Sequence, residues 1–588
     1  MNIFDERIKT LQDRMRRDGL RAYIIPATDP HMSESYCDRY GAMRKYFCPF
    51  RGQDGTLLVT LDSYEIYTDG RYWIEAEKEL EGSSCLLVKD GHPGVKNLFD
   101  RVKDEDLYPL GIDTAMCSID DLRRYYAGKD KPIYSIDYSF LVEDLPSLPK
   151  EKIFRVDPAL LSMSLDERVS LLLGDARKAG AESLVLTALD DIAYVLGYRG
   201  RDIPYTPVFY SYLFLSEGGK VDLFIDPDKI PADFDTDRII VHPYESIFSF
   251  LKERTEKVLV DPKRTNARIY GAVKNKVLSL SPAYLRKAVK GPREIENTLR
   301  IHEIDGIAVL RLMKFLEDNL PERDIDELEA ASYLDGIRLR GEGCYDLSFE
   351  TIAAVDSNGP MMHYAPTAES HSLFTKDSLT LLVDSGGQYY GGTTDITRTF
   401  LAKPTEEVIH DYTLTLKSQI SLSRQIFMRG CTGHSIDIAA REVMWREGLD
   451  YKCGTGHGVS YMGPVHEGPI GFRYYDSPQR DDKGILLPGH VITIEPGVYK
   501  EGKYGIRLEN ELLVKEHGVT DQGDFLEFET ITYCPYDRKG IDVTMLDDGE
   551  LSWLNDYLAL VFEKLSKHLE NDPELLAYLK RQCAPFTR

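Results

Sequence analysis

The sequence predicts a protein of mixed α/β and α+β class, with two α/β domains followed by an α+β domain. Three observations support this prediction. The chain has 588 residues, which is too long for one core because most domains hold about 50–250 residues. Apolar strand-like segments alternate with helical segments through the first half, which is typical of α/β domains. In the second half, a pair of helices followed by strands occurs twice.

Composition and charge narrow the class of protein. Apolar residues make up 42% and charged residues 29% of the chain, as in ordinary soluble globular proteins. The 72 basic and 97 acidic residues give a net charge of −25. This charge argues against nucleic acid as the main partner and against binding to anionic membranes.

The sequence also indicates the cellular compartment in which the protein is expected. The charged start of the chain has no apolar segment of the kind found in secretory signals, and no apolar run approaches the ~18 residues of a transmembrane helix. The nine cysteines are scattered singly, with no C-x-x-C pair. We therefore expect free thiols in a reducing compartment, and a cytoplasmic location.

The first predicted domain covers residues 1–155. Apolar residues at helical spacing predict a helix over 3–18, and a buried strand follows at 22–26. Two further apolar segments, 56–60 and 65–68, predict a hairpin that leads into a helix over 71–80. This alternation of strand and helix indicates an α/β domain.

The second predicted domain covers residues 156–290. A helix over 164–179 has Ser164 as its N-cap and Glu167 three residues later, which is the pattern of a capping box. A strand at 183–187 and a later hairpin follow. Because this order resembles that of the first domain, we predict two related α/β domains.

The third predicted domain covers residues 291–535, and a helical extension covers 536–588. A long helix begins at Pro292, and a second helix covers 324–339. Helices over 408–428 and 435–447 precede a second group of strands. The extension contains amphipathic helices over 551–565 and 573–579, which either cover a subunit interface or pack against their own domain.

Two aspartates stand out in the third domain. An apolar strand ends at Asp384, a Ser-Gly-Gly turn follows, and a threonine-rich run then holds Asp395. A buried aspartate without a partner is costly, and two that face each other are more so. Either backbone donors cap these carboxylates, or a cation neutralises them.

Three more candidate ligands follow along the chain. His457 lies among glycines, where the backbone can approach another group closely. Glu495 ends an apolar strand that Pro-Gly stops, and Glu509 lies on another apparent strand. With the two aspartates this gives five ligands, all but the histidine on apparent strands. Four carboxylates and one imidazole suit a pair of divalent cations such as manganese or cobalt, which could hold a hydroxide for hydrolysis.

Several segments carry a family resemblance. DSGGQYYGGTTDITR, GTGHGVSYMGPVHEGP, EPGVY and GIRLEN resemble the metal-binding segments of the pita-bread metallopeptidases, which include methionine aminopeptidase, prolidase, creatinase and aminopeptidase P. DLSFETI, HYAP and TALDDIAY resemble the three-domain type of Xaa-Pro aminopeptidase. The resemblance covers nearly the whole chain. It implies two creatinase-like N-terminal domains, a pita-bread catalytic domain and the C-terminal helical extension.

The resemblance also implies a ligand set for two divalent metal ions per subunit. Asp384, Asp395 and Glu509 would hold one ion, and Asp395, His457, Glu495 and Glu509 would hold the other. We expect Mn²⁺, with Co²⁺ or Zn²⁺ as alternatives.

Further roles follow from the same resemblance. Glu495 would act as the general base, or as a ligand alone. His363 and His466 would hold the scissile carbonyl and stabilise the developing oxyanion. Arg507 would bind substrate oxygens or pair with a ligand carboxylate. Two features depart from the family: Cys453 stands where relatives often have a histidine, and residues 48–55 replace a run of small residues.

These residues predict an aminopeptidase that removes the first residue of a peptide when proline follows. A prolidase restricted to Xaa-Pro dipeptides and a creatinase-like hydrolase are alternatives within the family. A metal-free binding protein with this fold is another class of alternative, but such proteins lack the ligands that are all present here. The resemblance also implies a homodimer.

Overall fold

A computed structural model describes residues 2–368, 370–475 and 482–588. The chain forms two compact units. The first consists of Met1–Pro158 and Met163–Leu285, and the second of Ala159–Ser162 and Arg286–Arg588. The first predicted domain and most of the second lie in the first unit, while residues 159–162 and 286–290 belong to the second unit. The predicted domain boundaries stay predictions.

The first unit contains two six-stranded sheets with the same topology. When each sheet's strands are counted along the chain, both have the order 4-3-2-1-5-6. In both sheets strands 1–2 and 2–3 pair antiparallel, and strands 3–4, 1–5 and 5–6 pair parallel. The prediction of two related α/β domains is confirmed. The strands are Ala22–Ile25, Thr56–Thr60, Tyr64–Thr68, Leu86–Lys89, Leu110–Ile112 and Ile133–Ser135 in one sheet, and Ser183–Leu186, Ser211–Leu215, Val221–Ile225, Ile239–Pro243, Lys257–Val260 and Asn275–Leu278 in the other.

Helices cover these sheets. Ala22–Ile25 and Val221–Ile225 are buried along their whole length, as expected of strands covered on both faces. The helix Leu165–Lys178 begins with the predicted capping box of Ser164 and Glu167. The helices of this unit are Ile3–Arg17, Asp38–Phe47, Trp73–Glu79, Leu98–Asp104, Ile119–Tyr125, Leu165–Lys178, Leu189–Leu196, Ile247–Glu253 and Ala267–Ala272, and Pro282–Lys287 runs into the second unit.

The second unit packs its helices around a large apolar core. The long helix Pro292–Asn319 has proline in its first turn, which suits the fixed φ of that residue. The two C-terminal helices bury their leucines in the same core, so they pack against their own domain, one of the two predicted alternatives. The remaining helices are Glu327–Arg340, Glu406–Ser423, Gly433–Ile436, Ile438–Arg446, Asp548–Ser566 and Pro573–Gln582.

The strands of the second unit form several antiparallel sheets. A three-stranded sheet joins Ile352–Val355, Thr380–Ser385 and Ile396–Leu401. A six-stranded sheet has the order Ile426–Met428, Gly523–Thr530, Asn510–Thr520, Val491–Ile494, Gly456–Gly458 and Glu467–Phe472. Smaller ribbons pair Ile325–Asp326 with Leu373–Phe374, Gly497–Lys500 with Tyr504–Arg507, and Cys344–Leu347 with Gly387–Tyr389 and Gly392–Thr393.

One predicted helix is too long. The sequence predicts a helix over 408–428, but the helix ends at Ser423 and Ile426–Met428 forms an edge strand. Phe427 is buried between exposed Ile426 and Met428, which is the alternation of a strand. All nine cysteines are free thiols, as predicted. No described helix has both the length and the apolar character that a membrane crossing requires.

Candidate active site

Asp384 lies on a buried strand, and only one of its two carboxylate oxygens accepts a hydrogen bond from a described residue. The strand Thr380–Ser385 places it opposite Thr397 in the three-stranded sheet. The Arg507 Nη2 donates to Asp384 Oδ2 at 2.6 Å. Asp384 Oδ1 is buried and has no hydrogen-bond partner among the described residues. A buried carboxylate oxygen without a donor is the kind of group that a cation would satisfy.

Asp395 comes directly before the strand Ile396–Leu401. Its backbone N–H donates to Glu511 Oε1 at 2.7 Å, and only 5% of the residue is exposed. Burial raises the pKa of the Asp395 carboxyl well above its usual range, and the charges of Asp384, Glu495 and Glu511 add to the effect. This direction means that several carboxylates face one another without enough positive charge between them.

His457 presents one ring nitrogen to these carboxylates. Its strand runs so close to its neighbour that a Cβ on Gly456 would lie 1.9 Å from the Thr493 carbonyl oxygen, which confirms the predicted close approach. His457 Nδ1 lies 3.0 Å from the Gly458 carbonyl oxygen, so Nδ1 carries the hydrogen. Nε2 is left as a ligand atom, 3.5 Å from Asp395 Oδ2 and 3.5 Å from Glu495 Oε1.

The two glutamates are held by threonine hydroxyls. Thr493 donates to Glu495 Oε1 at 3.3 Å, and Thr397 donates to Glu509 Oε2 at 2.8 Å. Burial raises the pKa of Glu495. Burial also raises the pKa of Glu509 well above its usual range, with Asp395 as the next cause.

Together these residues fit a cation site. Asp395, His457 and Glu509 each offer a ligand atom, and the three atoms lie within 4.8 Å of one another. Oxygen donors with one imidazole suit hard or borderline divalent cations, and the open Asp384 Oδ1 is consistent with a second cation beside the first. The residues present therefore fit two divalent ions.

The prediction that all ligands but His457 lie on strands is wrong in detail. His457 is on the strand Gly456–Gly458, whereas Asp395, Glu495 and Glu509 each lie beside a strand end. Their backbone N–H groups are nevertheless held: that of Asp395 donates to Glu511 Oε1, that of Glu495 to the Thr455 carbonyl oxygen, and that of Glu509 to the Thr397 carbonyl oxygen. Only Asp384 is a carboxylate ligand candidate within a strand.

The two histidines predicted outside the ligand set lie in different places. The rings of His466 and His457 are perpendicular, with centroids 4.3 Å apart. His363 is half-buried in the loop between Asn358 and Leu373. That loop is anchored by the buried Glu327, which accepts from the Tyr364 hydroxyl at 2.8 Å. The structure brings His466 to the ligand cluster, and it fixes the residue next to His363.

Arg507 contacts protein groups through all three of its guanidinium nitrogens. Besides its bond to Asp384, its Nε lies 3.1 Å from Thr397 Oγ1 and its Nη1 lies 3.0 Å from the Tyr499 hydroxyl. Of the two predicted alternatives, this arrangement favours pairing with a ligand carboxylate. Binding of substrate oxygens by Arg507 stays a prediction.

Two carboxylates beside the site were not predicted from the sequence. Glu511 is fully buried and accepts the Asp395 N–H. It lies on the strand Asn510–Thr520, two residues after Glu509, and this spacing of two in an apparent strand was the signal. Glu467 adjoins His466 and forms buried ion pairs with Lys287 and Lys290, which no local pattern indicates because the lysines precede it by 180 and 177 residues.

Family models match most of the chain in four segments. The model for metallopeptidase family M24 matches residues 296–516, and the C-terminal region of peptidase M24 matches 524–586. Two models of the creatinase/prolidase N-terminal domain match 7–142 and 144–294. The predicted fold class, two creatinase-like domains before an M24 catalytic domain, is confirmed.

Full-length relatives agree with these matches. Xaa-Pro aminopeptidase 1 of Dictyostelium discoideum is 34% identical over 99% of this chain and 96% of its own. A probable Xaa-Pro aminopeptidase P of Laccaria bicolor is 34% identical over 99% of this chain and 93% of its own. The crystal structure of an X-prolyl aminopeptidase from Caenorhabditis elegans, described as a cytosolic enzyme with a di-nuclear active site, is 30% identical and covers 100% of both chains with a TM-score of 0.93. The chain belongs to metallopeptidase family M24, in the group that carries creatinase/prolidase N-terminal domains.

Proposed function

We propose that this chain is a metal-dependent aminopeptidase that hydrolyses the bond between the first residue of a peptide and a following proline. The observation that carries the proposal is the buried cluster of Asp395, His457 and Glu509, whose ligand atoms converge within 4.8 Å. Similarity to Xaa-Pro aminopeptidases over 99% of the chain supports the choice of substrate.

Two divalent cations fit the ligand set. We assign one to Asp384, Asp395 and Glu509, and the other to Asp395, His457, Glu495 and Glu509, and we propose Mn²⁺ as the native ion. When bound, such cations polarise a carbonyl and lower the pKa of water. Arg507 would hold the Asp384 carboxylate in its ligating orientation, since it donates to Asp384 Oδ2 at 2.6 Å.

Glu495 is the proposed general base. It accepts a proton from the attacking water as the water oxygen bonds to the carbonyl carbon. The same carboxyl then gives that proton to the proline nitrogen as the C–N bond breaks, so the base is restored. Thr493 holds Glu495 Oε1 at 3.3 Å, which fixes the carboxylate during both transfers.

His466 and His363 are the proposed donors to the carbonyl oxygen. The carbonyl oxygen gains negative charge as the tetrahedral intermediate forms, and a positioned N–H stabilises that charge. The perpendicular packing of His466 on His457, with ring centroids 4.3 Å apart, supports this role for His466.

Proline selectivity follows from the chemistry of the bond. An Xaa-Pro bond is a tertiary amide, so the leaving nitrogen carries no hydrogen and the ring fixes φ. A site for it needs apolar walls near the cations instead of an acceptor for that N–H. We propose that Tyr364 and Val465, which adjoin the two histidines, supply these walls.

Product analysis on a small peptide panel tests the function. With Mn²⁺ present, Arg-Pro-Pro should be cut after its first residue, and Arg-Ala-Pro should be cut far more slowly. Cleavage of Arg-Pro alone would establish the prolidase alternative, and equal cleavage of the alanine peptide would leave only a general aminopeptidase. Asp395→Asn protein serves as the inactive reference, because it removes one shared ligand.

We further propose a cytosolic homodimer. The similar enzyme of C. elegans is described as cytosolic, and the nine free thiols of this chain suit a reducing compartment. The dimer rests on family resemblance. Light scattering at working concentration should give twice the chain mass of 66.9 kDa, and a monomer mass would contradict the proposal.

A further inference from the structure

A buried histidine on the long helix Pro292–Asn319 faces a buried glutamate. The side chains of His302 and Glu511 are 3% and 0% exposed, and His302 Nε2 lies 3.1 Å from Glu511 Oε1. His302 Nδ1 lies 2.7 Å from the Thr298 carbonyl oxygen, so Nδ1 carries a hydrogen and the ring orientation is fixed. Burial lowers the pKa of His302, but the Glu511 charge outweighs burial and raises it, which favours the imidazolium that carries a hydrogen on Nε2 as well. The helix thus holds one side of the Glu511 carboxylate.

The same carboxylate holds the backbone of a metal-ligand candidate. Glu511 Oε1 accepts the Asp395 N–H at 2.7 Å. The Glu511 backbone is itself fixed, because its N–H donates to Thr532 Oγ1 at 2.7 Å. Its second oxygen, Oε2, is buried and has no hydrogen-bond partner among the described residues. Of the two carboxylate oxygens, Oε1 therefore contacts both His302 Nε2 and the Asp395 N–H.

The helix also contacts the turn that leads into Asp395. A Cβ on Gly392 would lie 2.8 Å from Ile301 Cδ1, and one on Gly391 would lie 3.1 Å from Asn297 Cβ. Both glycines have positive φ, +128° and +154° for Gly391 and Gly392. One face of the helix therefore fixes the chain before Asp395 by packing and Asp395 itself through Glu511.

We propose that Glu511 is a positioning residue for the dinuclear centre, and that His302 orients it. By holding the Asp395 N–H, Glu511 fixes the backbone from which the shared ligand carboxylate projects. Groups that orient metal ligands typically change metal affinity by about 10–100-fold when they are removed. This inference rests on the proposed function, because it requires Asp395 to bind a cation.

Two substitutions separate the hydrogen bond from the charge. Glu511→Gln and Glu511→Met both remove one negative charge, but only glutamine keeps an oxygen that can accept the Asp395 N–H. The binding of Mn²⁺ to the chelator-treated chain is measured by titration calorimetry for each variant. We expect the methionine variant to bind Mn²⁺ at least about tenfold more weakly than the glutamine variant. Spin coupling between the two Mn²⁺ ions should also weaken in the electron paramagnetic resonance spectrum of the methionine variant.

Asp537→Leu is the matched control. Asp537 is also buried and also accepts a backbone N–H, that of Leu401 at 2.9 Å, at the opposite end of the strand that follows Asp395. We expect Asp537→Leu to lower the denaturation midpoint without weakening Mn²⁺ binding. If Glu511→Met does not fold, Glu511→Ala replaces it, because alanine lacks the acceptor and introduces no overpacking.

Three results would overturn the inference. Equal weakening in the glutamine and methionine variants would mean that Glu511 acts through charge alone. Unchanged affinity in both would make Glu511 a core residue only. If Asp537→Leu weakened Mn²⁺ binding as much as Glu511→Met, the effect would come from a general loss of packing. A wild-type chain that cleaves no Xaa-Pro peptide and binds no Mn²⁺ would instead overturn the proposed function and this inference with it.

Discussion

Two buried clusters of ionisable residues in the second unit differ in the charge that surrounds their carboxylates. Glu467 is 2% exposed and pairs with Lys287 and Lys290, whose side chains are 5% and 1% exposed. Asp395 and Glu509 are equally buried, but their closest ionisable neighbours are other carboxylates and His457. Both ammonium groups of the first cluster pair with Glu467, whereas the guanidinium group of Arg507 in the second cluster pairs with Asp384.

The pKa values follow this difference. Burial alone would raise the pKa of Glu467, but Lys287 and Lys290 outweigh that effect and hold it below its usual range. Burial raises the pKa of Asp395 and Glu509, and neighbouring carboxylates raise it further. Burial is therefore common to both clusters, and the neighbouring charge decides the sign. A buried carboxylate with an ammonium partner is already neutralised within the protein, whereas one among other carboxylates requires a cation from solution. We call Glu467 with Lys287 and Lys290 the closed cluster, and the group around Asp395 and Glu509 the open cluster.

The largest expected effect is loss of activity when the second cluster loses its cations. Chelation, or the substitution Asp395→Asn, should lower the rate of Arg-Pro-Pro cleavage at least about ten-thousandfold, since polarisation of the carbonyl and of water supplies several kcal/mol. Added Mn²⁺ should restore the chelated wild type and leave the variant inactive. The rate of product release is the measurement.

Asp377→Asn is the control for this prediction. Asp377 is 66% exposed and pairs with the exposed Lys403, so its loss should leave the rate unchanged. Full activity of metal-free Asp395→Asn protein would show that the open cluster is not a cation site.

The next effect concerns stability and the closed cluster. Glu467→Gln leaves two buried ammonium groups without their carboxylate, and breaking a buried ion pair in this way typically costs about 3–5 kcal/mol. The free energy of unfolding from denaturant titration should fall by that amount. Glu342 is 76% exposed and pairs with Arg300 on the surface. Glu342→Gln should therefore lower the free energy of unfolding by less than about 1 kcal/mol. Equal losses in the two variants would remove the distinction between a closed pair and a surface pair.

His466 lies between the two clusters, because it adjoins Glu467 in sequence and its ring packs on that of His457. Substitution of His466 therefore tests whether this residue acts in catalysis or supports the ligands. His466→Ala should lower kcat by about 10²–10³, or about 2.7–4 kcal/mol, as expected for loss of one oxyanion donor. Two Mn²⁺ ions should remain bound, as measured by elemental analysis. A metal content that falls in step with kcat would make His466 a support for the ligands instead.

Much of the fold followed from local patterns. The capping box at Ser164 and Glu167 and the alternating strands of the first unit are local signals, and the structure has them where they were predicted. The end of the helix at Ser423 was missed because Phe427, the one buried residue of the next strand, also suits a helical pattern. A three-residue strand is too short for its alternation to be recognised before the sheet is known.

At the candidate site, the sequence predicted the ligand residues but only some of the groups that contact them. Asp384, Asp395, His457, Glu495 and Glu509 each follow a turn or strand signal and match family segments, so they could be named from the sequence. The residues that position these ligands or pack beside them could not all be predicted. Lys287 and Lys290 approach Glu467 from 180 and 177 residues away, and His302 approaches Glu511 from a distant helix. Such contacts depend on tertiary packing, which leaves no periodic trace in the sequence.

The smallest expected effect is a difference in how the two clusters respond to pH in the metal-free protein. Denaturant midpoints of chelated wild type and Glu509→Gln are compared between pH 5 and 8. We expect the wild type to lose stability relative to the variant as pH rises, since a folded-state pKa above the unfolded value favours the protonated form of Glu509. Glu342→Gln should follow the wild type at every pH, because its carboxylate is exposed.

The sign follows from proton linkage. The folded-state pKa of Glu509 is raised, so its contribution is fully present below the unfolded pKa of about 4.3 and is lost as pH rises through the folded value. The pKa of Glu467 is lowered, so its contribution is present above about 4.3 and is lost only as pH falls through the folded value. Of the two clusters, only the open one should therefore produce a slope above pH 5. With saturating Mn²⁺ the slope should reverse, because protons then compete with the cation for the same carboxylates. Parallel midpoints for wild type and Glu509→Gln would mean that the carboxylates of the open cluster do not repel one another, and the contrast between the clusters would fail.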